Sequence, residues 1–147
     1  MMLDVTGRTV VIIGGGAVAA RKAAGVMEAG AARVRVVAPQ IGADVRATER
    51  VAESYETRHL DGASLAFAAT DSPEVNNRVV RDARARGILV NRADEGGDGA
   101  EPADFVTPAK FQEGEVIVTV SAGSAALAVA IRNDLARRID RRHLKMA

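Results

Sequence analysis

Three consecutive glycines, Gly14, Gly15 and Gly16, stand between an apolar run and an Ala-rich stretch, and their spacing suits phosphate chemistry. In Gly14-x-Gly16-x-x-Ala19 the first glycine permits a tight turn, and the second leaves backbone N–H groups open to a pyrophosphate. Ala19 lets a following helix pack close to a sheet. The N-terminus of that helix offers unpaired N–H groups and a partial positive charge to phosphate oxygens. A second kind of chemistry needs carboxylates at strand ends, and Asp71, Asp94, Glu95 and Asp98 are the candidates. Asp94 lies just past a β-branched run, where a general acid or base can face a bound ligand. Asp71 reads as a turn residue ahead of a helix, and Glu95 and Asp98 fall among glycines in a solvated loop. His59 and His143 form no metal-ligand spacing and read as surface residues. Ser121 has no histidine partner at hand, so a hydrolase triad is not expected.

These groups need elements to hold them. Val10-Val11-Ile12-Ile13 is too short for a helix and reads as a buried strand. The Ala-rich segment after the glycines has apolar residues at helical spacing and stops at Gly30. Val34 to Val37 is a second strand, ending at Pro39. This βαβ unit makes the glycine pattern a dinucleotide fingerprint rather than a bare turn. Such a unit usually carries an acid at the end of its second strand, for the ribose hydroxyls. Here the stretch is Val37-Ala38-Pro39-Gln40, so Gln40 is the nearest ribose partner and the choice between NAD and NADP stays open.

Further on, Gly42 to Arg50 reads as a short helix and Val51 to Thr57 as an edge strand. Leu65 to Ala69 is a buried strand ending at Thr70-Asp71-Ser72-Pro73, where Ser72 and Pro73 suit a helix start. That helix turns Val75, Val79, Val80 and Ala83 inward and ends at Gly87. Ile88-Leu89-Val90 is the next strand, leading to Asn91-Arg92-Ala93-Asp94. The alternation implies an α/β fold, a Rossmann-type doubly wound parallel sheet. After the glycine-rich loop from Glu95 to Pro102, Val116 to Val120 forms a later strand. The last helix carries Leu127, Ile131, Leu135 and Ile139 along one stripe. Residues 1–112 are expected to form the dinucleotide-binding domain, and 113–147 a short strand-plus-helix segment.

Composition narrows the function classes. Apolar residues make up 48% of the chain and aromatics only 3%, so the core is built from Ala, Val, Leu and Ile. A formal net charge of +1 argues against a general nucleic-acid binder. With no cysteine there is no disulfide, thiolate metal site or cysteine nucleophile. No secretory h-region and no membrane-length apolar run are read, so a soluble, cytoplasmic chain is expected.

The stretches GRTVVIIGGGAVAARKAAGVMEAGAARVRVVAP, FAATDSPEVNNRVVRDARARGILVN, DFVTPA and VIVTVSAGS together carry a family likeness. From Leu3 to about Ile139 the sequence resembles the precorrin-2 dehydrogenase/sirohydrochlorin ferrochelatase family. The resemblance implies NAD-dependent oxidation of precorrin-2 to sirohydrochlorin on the way to siroheme, followed in some members by insertion of ferrous iron. Carried over by position, Gly14, Gly15, Gly16, Ala17 and Val18 touch the dinucleotide. Pro39 and Gln40 line its ribose, and Thr70 lies on the nicotinamide side. The family's essential Asp follows the strand that ends in Asn, a pattern met by Asn91-x-x-Asp94. Its role there is proton removal as hydride leaves the macrocycle. Counting back from Phe105 across a loop longer than usual nominates Asp98 instead, and Asp94 is preferred. Arg92 and Lys110 are candidates to pair with the substrate's carboxylates.

Residues 113–147 resemble the family's dimerisation segment, which implies a homodimer. Family members commonly continue into a C-terminal helical domain, expected to be absent here. Their S-x-G-G-x-S-P stretch is reduced to Ser121-Ala122-Gly123-Ser124-Ala125-Ala126. These departures keep a second reading open, a non-catalytic dinucleotide-binding sensor or partner subunit.

Overall fold

The computed structural model describes residues 3–94, 99–114 and 116–139, and the chain divides into two compact units, residues 1–106 and 107–147. The first is built on β1 (Thr9–Ile13), β2 (Arg33–Val37), β3 (Glu49–Val51), β4 (Leu65–Ala68) and β5 (Leu89–Arg92). All four strand pairings are parallel, in the order β3-β2-β1-β4-β5. Helices α1 (Ala17–Glu28) and α2 (Pro73–Ala85) cover opposite faces.

Side-chain alternation explains why the central strands are continuously apolar. On β1, Val10 and Ile12 join Ala19, Ala23 and Val26 of α1, while Val11 and Ile13 join Val79, Val80 and Ala83 of α2. Strand β4 divides likewise, Leu65 and Phe67 to one face, Ala66 and Ala68 to the other. A parallel sheet covered on both sides leaves no strand face for polar residues. Among the described residues Phe67 is the largest fully buried side chain, and it meets the Phe105 ring edge-on, 5.7 Å between centroids.

Local expectations fail between β2 and β4. Gly42 to Arg50 is not a helix: residues 41–48 form an irregular loop, and β3 occupies Glu49–Val51. The Arg50 guanidinium donates to the carbonyls of Ile41, Gly42 and Val45, which supplies the partners a helix would have given. The edge strand ends at Val51 instead of running to Thr57, and Thr57–Leu60 is a turn of 3-10 helix. His59, expected at the surface, is only 4% exposed; its Nδ1 accepts the Glu56 N–H at 3.0 Å and its Nε2 faces Glu53 at 3.3 Å.

The second unit holds β6 (Ala109–Glu113) and β7 (Val116–Val120), an antiparallel pair, with α3 (Ala125–Arg138) packed on both. A division at 112/113 would cut β6; the chain divides at 106/107, because β6 pairs only with β7. Ser124 starts α3, its side chain accepting the Leu127 N–H at 3.2 Å, and Ser121 lies ahead of the helix.

Candidate active site

The site is laid out by the carboxyl ends of the parallel strands, where open α/β sheets bind ligands. β1 ends at Ile13 and the chain turns through Gly14–Gly16 into α1. Gly14 has φ +133°, and a Cβ there would lie 2.1 Å from the Ala69 carbonyl oxygen. A Cβ on Gly15 would lie 2.0 Å from the Gln40 carbonyl oxygen. The turn is therefore wedged between the segments that follow β4 and β2. The Gly42 N–H donates to the Gly15 carbonyl at 2.9 Å and closes the second side.

This arrangement opens a cleft of about 960 Å³. Its wall includes Gly14, Gly15, Gly16, Ala17, Val18, Pro39, Gln40 and Thr70, so the expected cofactor residues come together on one surface. Ser54, Tyr55, Ile41 and Gly42 belong to the same wall and were not anticipated from the sequence. Burial, then the hydrogen bond to Asp82 (2.9 Å), pushes the Tyr55 hydroxyl well above its ordinary range, so it stays a neutral donor. Among the described residues of the wall, Asp71 is the charged one.

The residues present fit a dinucleotide. A Cβ on Gly16 would meet nothing within 4 Å, so the space before α1 is open to phosphate oxygens. Gly16 caps α1 without a side-chain hydrogen bond, which leaves the first-turn N–H groups available. The cleft volume lies at the upper end of the usual range for small-molecule sites.

A recess of about 300 Å³ adjoins the cleft and shares Val18, Ala69, Thr70 and Asp71 with it. Asp94 is on the recess wall. Its Oδ2 accepts from Asn76 Nδ2 at 3.0 Å and from Arg92 Nη2 at 2.7 Å, and Arg92 Nε donates to Oδ1. Arg92 beside it holds the Asp94 carboxyl below the ordinary carboxylate range, burial opposing this and Asn76 adding to it. A depressed folded-state value means that the ion pair stabilises the fold above the unfolded value of about 3.9. That contribution is lost as pH falls through the folded value.

Arg92 is thus not turned to a substrate carboxylate, as the sequence suggested; its side chain is 5% exposed and engaged by Asp94 and Asn77. Lys110 lies on β6, in the second unit. Asp98, the rival for the catalytic role, lies outside the described residues, as do Glu95 and His143. Asn91 is buried and donates to the Phe105 carbonyl at 2.7 Å, tying β5 to the returning chain.

Asn76, which the sequence did not single out, joins Thr70 to Asp94. It is fully buried; its Oδ1 accepts from Thr70 N (3.1 Å) and Thr70 Oγ1 (2.8 Å), and its Nδ2 donates to Thr70 O (3.0 Å) and Asp94. Replacing it takes the side-chain partner from the half-buried Thr70 backbone N–H and carbonyl, while the Thr70 hydroxyl keeps Ser72. Asn76→Ala is expected to lower unfolding free energy by about 2–4 kcal/mol in a urea titration. A loss below about 1 kcal/mol would contradict the network.

Parallel strands in this order, a glycine turn at the carboxyl edge and an open helix N-terminus define a Rossmann-type dinucleotide-binding protein. Residues 1–109 match the family model described as "Putative NAD(P)-binding". The siroheme synthase of Azotobacter vinelandii is 40% identical over 135 residues, 86% of this chain and 28% of that protein. That of Chromobacterium violaceum is 38% identical over 125 residues, 81% of this chain and 26% of that protein. The chain thus spans about a quarter of the length of these relatives. Among solved structures, SirC, precorrin-2 dehydrogenase, superposes with a TM-score of 0.75 at 25% identity, covering 97% of this chain and 72% of SirC. The chain belongs to this NAD(P)-binding family and is similar to siroheme synthases and to SirC.

Proposed function

We propose that the chain oxidises precorrin-2 to sirohydrochlorin with NAD in siroheme formation. The observation that carries the reading is the shared wall: the recess holding Asp94 opens beside Thr70 and Val18, on the same cleft that begins at the glycine turn. Its support from relatives is the family membership and the likeness to SirC.

In this reading the first-turn N–H groups of α1 and the backbone of Gly14–Gly16 hold the pyrophosphate, and Ala17 and Val18 lie against it. Pro39 and Gln40 bound the adenosine ribose, where a neutral amide donates and accepts without an acid's charge. Thr70 bounds the nicotinamide side. When bound, the nicotinamide supplies a two-electron acceptor for hydride. Asp94, ionised at neutral pH, takes the proton that the macrocycle loses. Anaerobic incubation with precorrin-2 and NAD tests this by the appearance of reduced dinucleotide. Repeating it with ferrous iron tests chelation, with iron as substrate. Among the described residues no cluster of three or more His, Cys, Asp or Glu side chains forms a metal site.

The same reading gives catalysis to the first unit, residues 1–106, and dimerisation to the second, residues 107–147. Its support is an apolar stripe on α3: Leu127, Ile131 and Leu135, four residues apart, are 51%, 40% and 37% exposed. Exposed apolar stripes of this kind mark association surfaces. The double variant Leu127→Glu/Ile131→Glu is expected to halve the mass measured by sedimentation. An unchanged mass would sink the dimer. Among the described residues no helix is long and apolar enough to cross a membrane. A cytoplasmic location is proposed from the dependence on a dinucleotide pool.

A further inference from the structure

A guanidinium shielded from water is costly unless its charge is matched and its donors are used. Arg92 closes β5 with a side chain 5% exposed. Nε and Nη2 grip both oxygens of Asp94, and Nη1 donates to Asn77 Oδ1. Asn77 is itself fixed, since its Oδ1 also accepts the Glu101 N–H at 2.8 Å. Across the carboxylate, Asn76 cannot turn over, because its Oδ1 is committed to two Thr70 donors. The Asp94 carboxylate is therefore clamped from two sides, by a cation anchored on α2 and by an amide anchored on Thr70.

We propose that Arg92 is a positioning residue: it fixes the plane and the negative charge of Asp94 in the recess, while Asn76 ties that carboxylate to Thr70 on the cleft wall. The consequence for catalysis rests on the dehydrogenase reading. Protonating Asp94 leaves a guanidinium shielded from water without its counter-ion, so the carboxylate is restored between turnovers. Besides Arg92, the charged groups near it are Asp71 across the recess and Glu101, which faces Arg92 and pairs with Arg81 and Arg84. The downward shift of the Asp94 carboxyl, with Arg92 as its largest cause, agrees with the geometry.

The test follows the Asp94 carboxyl by carbon NMR in the full chain, assigned by its loss in Asp94→Asn. The wild-type midpoint is expected below the ordinary value of about 3.9. In Arg92→Met it should rise by about 1–3 pH units, with Arg92→Lys recovering part of that shift. The acid limb of kcat/KM for precorrin-2 should move with it. A wild-type midpoint at or above the ordinary value overturns the proposal without any variant, so a misfolded Arg92→Met does not shield it. So does an unmoved midpoint in folded Arg92→Met. A low wild-type midpoint with no precorrin-2 turnover supports the clamp and counts against the dehydrogenase reading. An ordinary midpoint with full turnover does the reverse.

Discussion

Asp94→Asn is expected to lower precorrin-2 turnover by about 100- to 10,000-fold, the usual worth of a positioned general base. Dinucleotide affinity should stay within about twofold, because Asp94 faces the recess and not the glycine turn. The amide preserves volume and still accepts from Asn76 or Arg92, but it removes the charge that Arg92 is built to match. Some stability is lost as well, so turnover is compared at a temperature where circular dichroism shows the variant folded. The chain contains no Trp, and calorimetry is the suitable measure of NAD binding. Equal loss of binding and turnover would mean that Asp94 shapes the cofactor cleft, not the chemistry.

The second large effect separates two glycines that the fingerprint treats alike. Gly14→Ala places a methyl 2.1 Å from the Ala69 carbonyl at a φ of +133°. Both the clash and the backbone strain must be relieved by moving the floor of the cleft. Stability should fall by about 2–4 kcal/mol, and NAD affinity by about 100-fold or more. Gly16→Ala meets nothing within 4 Å, so stability should hold within about 0.5 kcal/mol while NAD affinity falls about 10-fold or more. Gly25→Ala, inside α1 and also free of contacts, serves as the control and should stabilise by about 0.5–1 kcal/mol with binding unchanged. Denaturant titration and calorimetry on the three variants check this. Equal binding by Gly16→Ala and wild type would remove the pyrophosphate from the α1 N-terminus.

The alternation of short apolar runs with helices was legible because burial on both sheet faces leaves no ambiguity in Val10–Ile13 or Leu65–Ala68. That the glycine turn, Gln40 and Thr70 line one cleft was legible for a related reason, since the strand ends share one edge once the strands are placed. The segment between β2 and β4 was not legible. Its conformation is set by Arg50 reaching back to carbonyls of residues 41, 42 and 45, and by His59 accepting from Glu56. Neither leaves a periodic signal. Arg92 was misread because a basic residue near an anionic substrate invites pairing with it. Its spacing from Asp94 held the answer, as residues two apart leaving a strand share a face. Asn76 and Thr70 meet only because β4 and α2 are joined by a short turn.

In the proposed reaction this cleft moves hydride from precorrin-2 to NAD with Asp94 as the base. Its most direct test is an anaerobic single-turnover experiment at equal protein, precorrin-2 and NAD, following reduced dinucleotide and sirohydrochlorin together, with Asp94→Asn and Asp98→Asn in parallel. Both products are expected to rise in equal amounts in wild type and Asp98→Asn, and neither in Asp94→Asn. Loss in Asp98→Asn alone would transfer the role of base to Asp98. Binding of NAD by the wild type with neither product formed would contradict the account and leave a dinucleotide-binding module in its place.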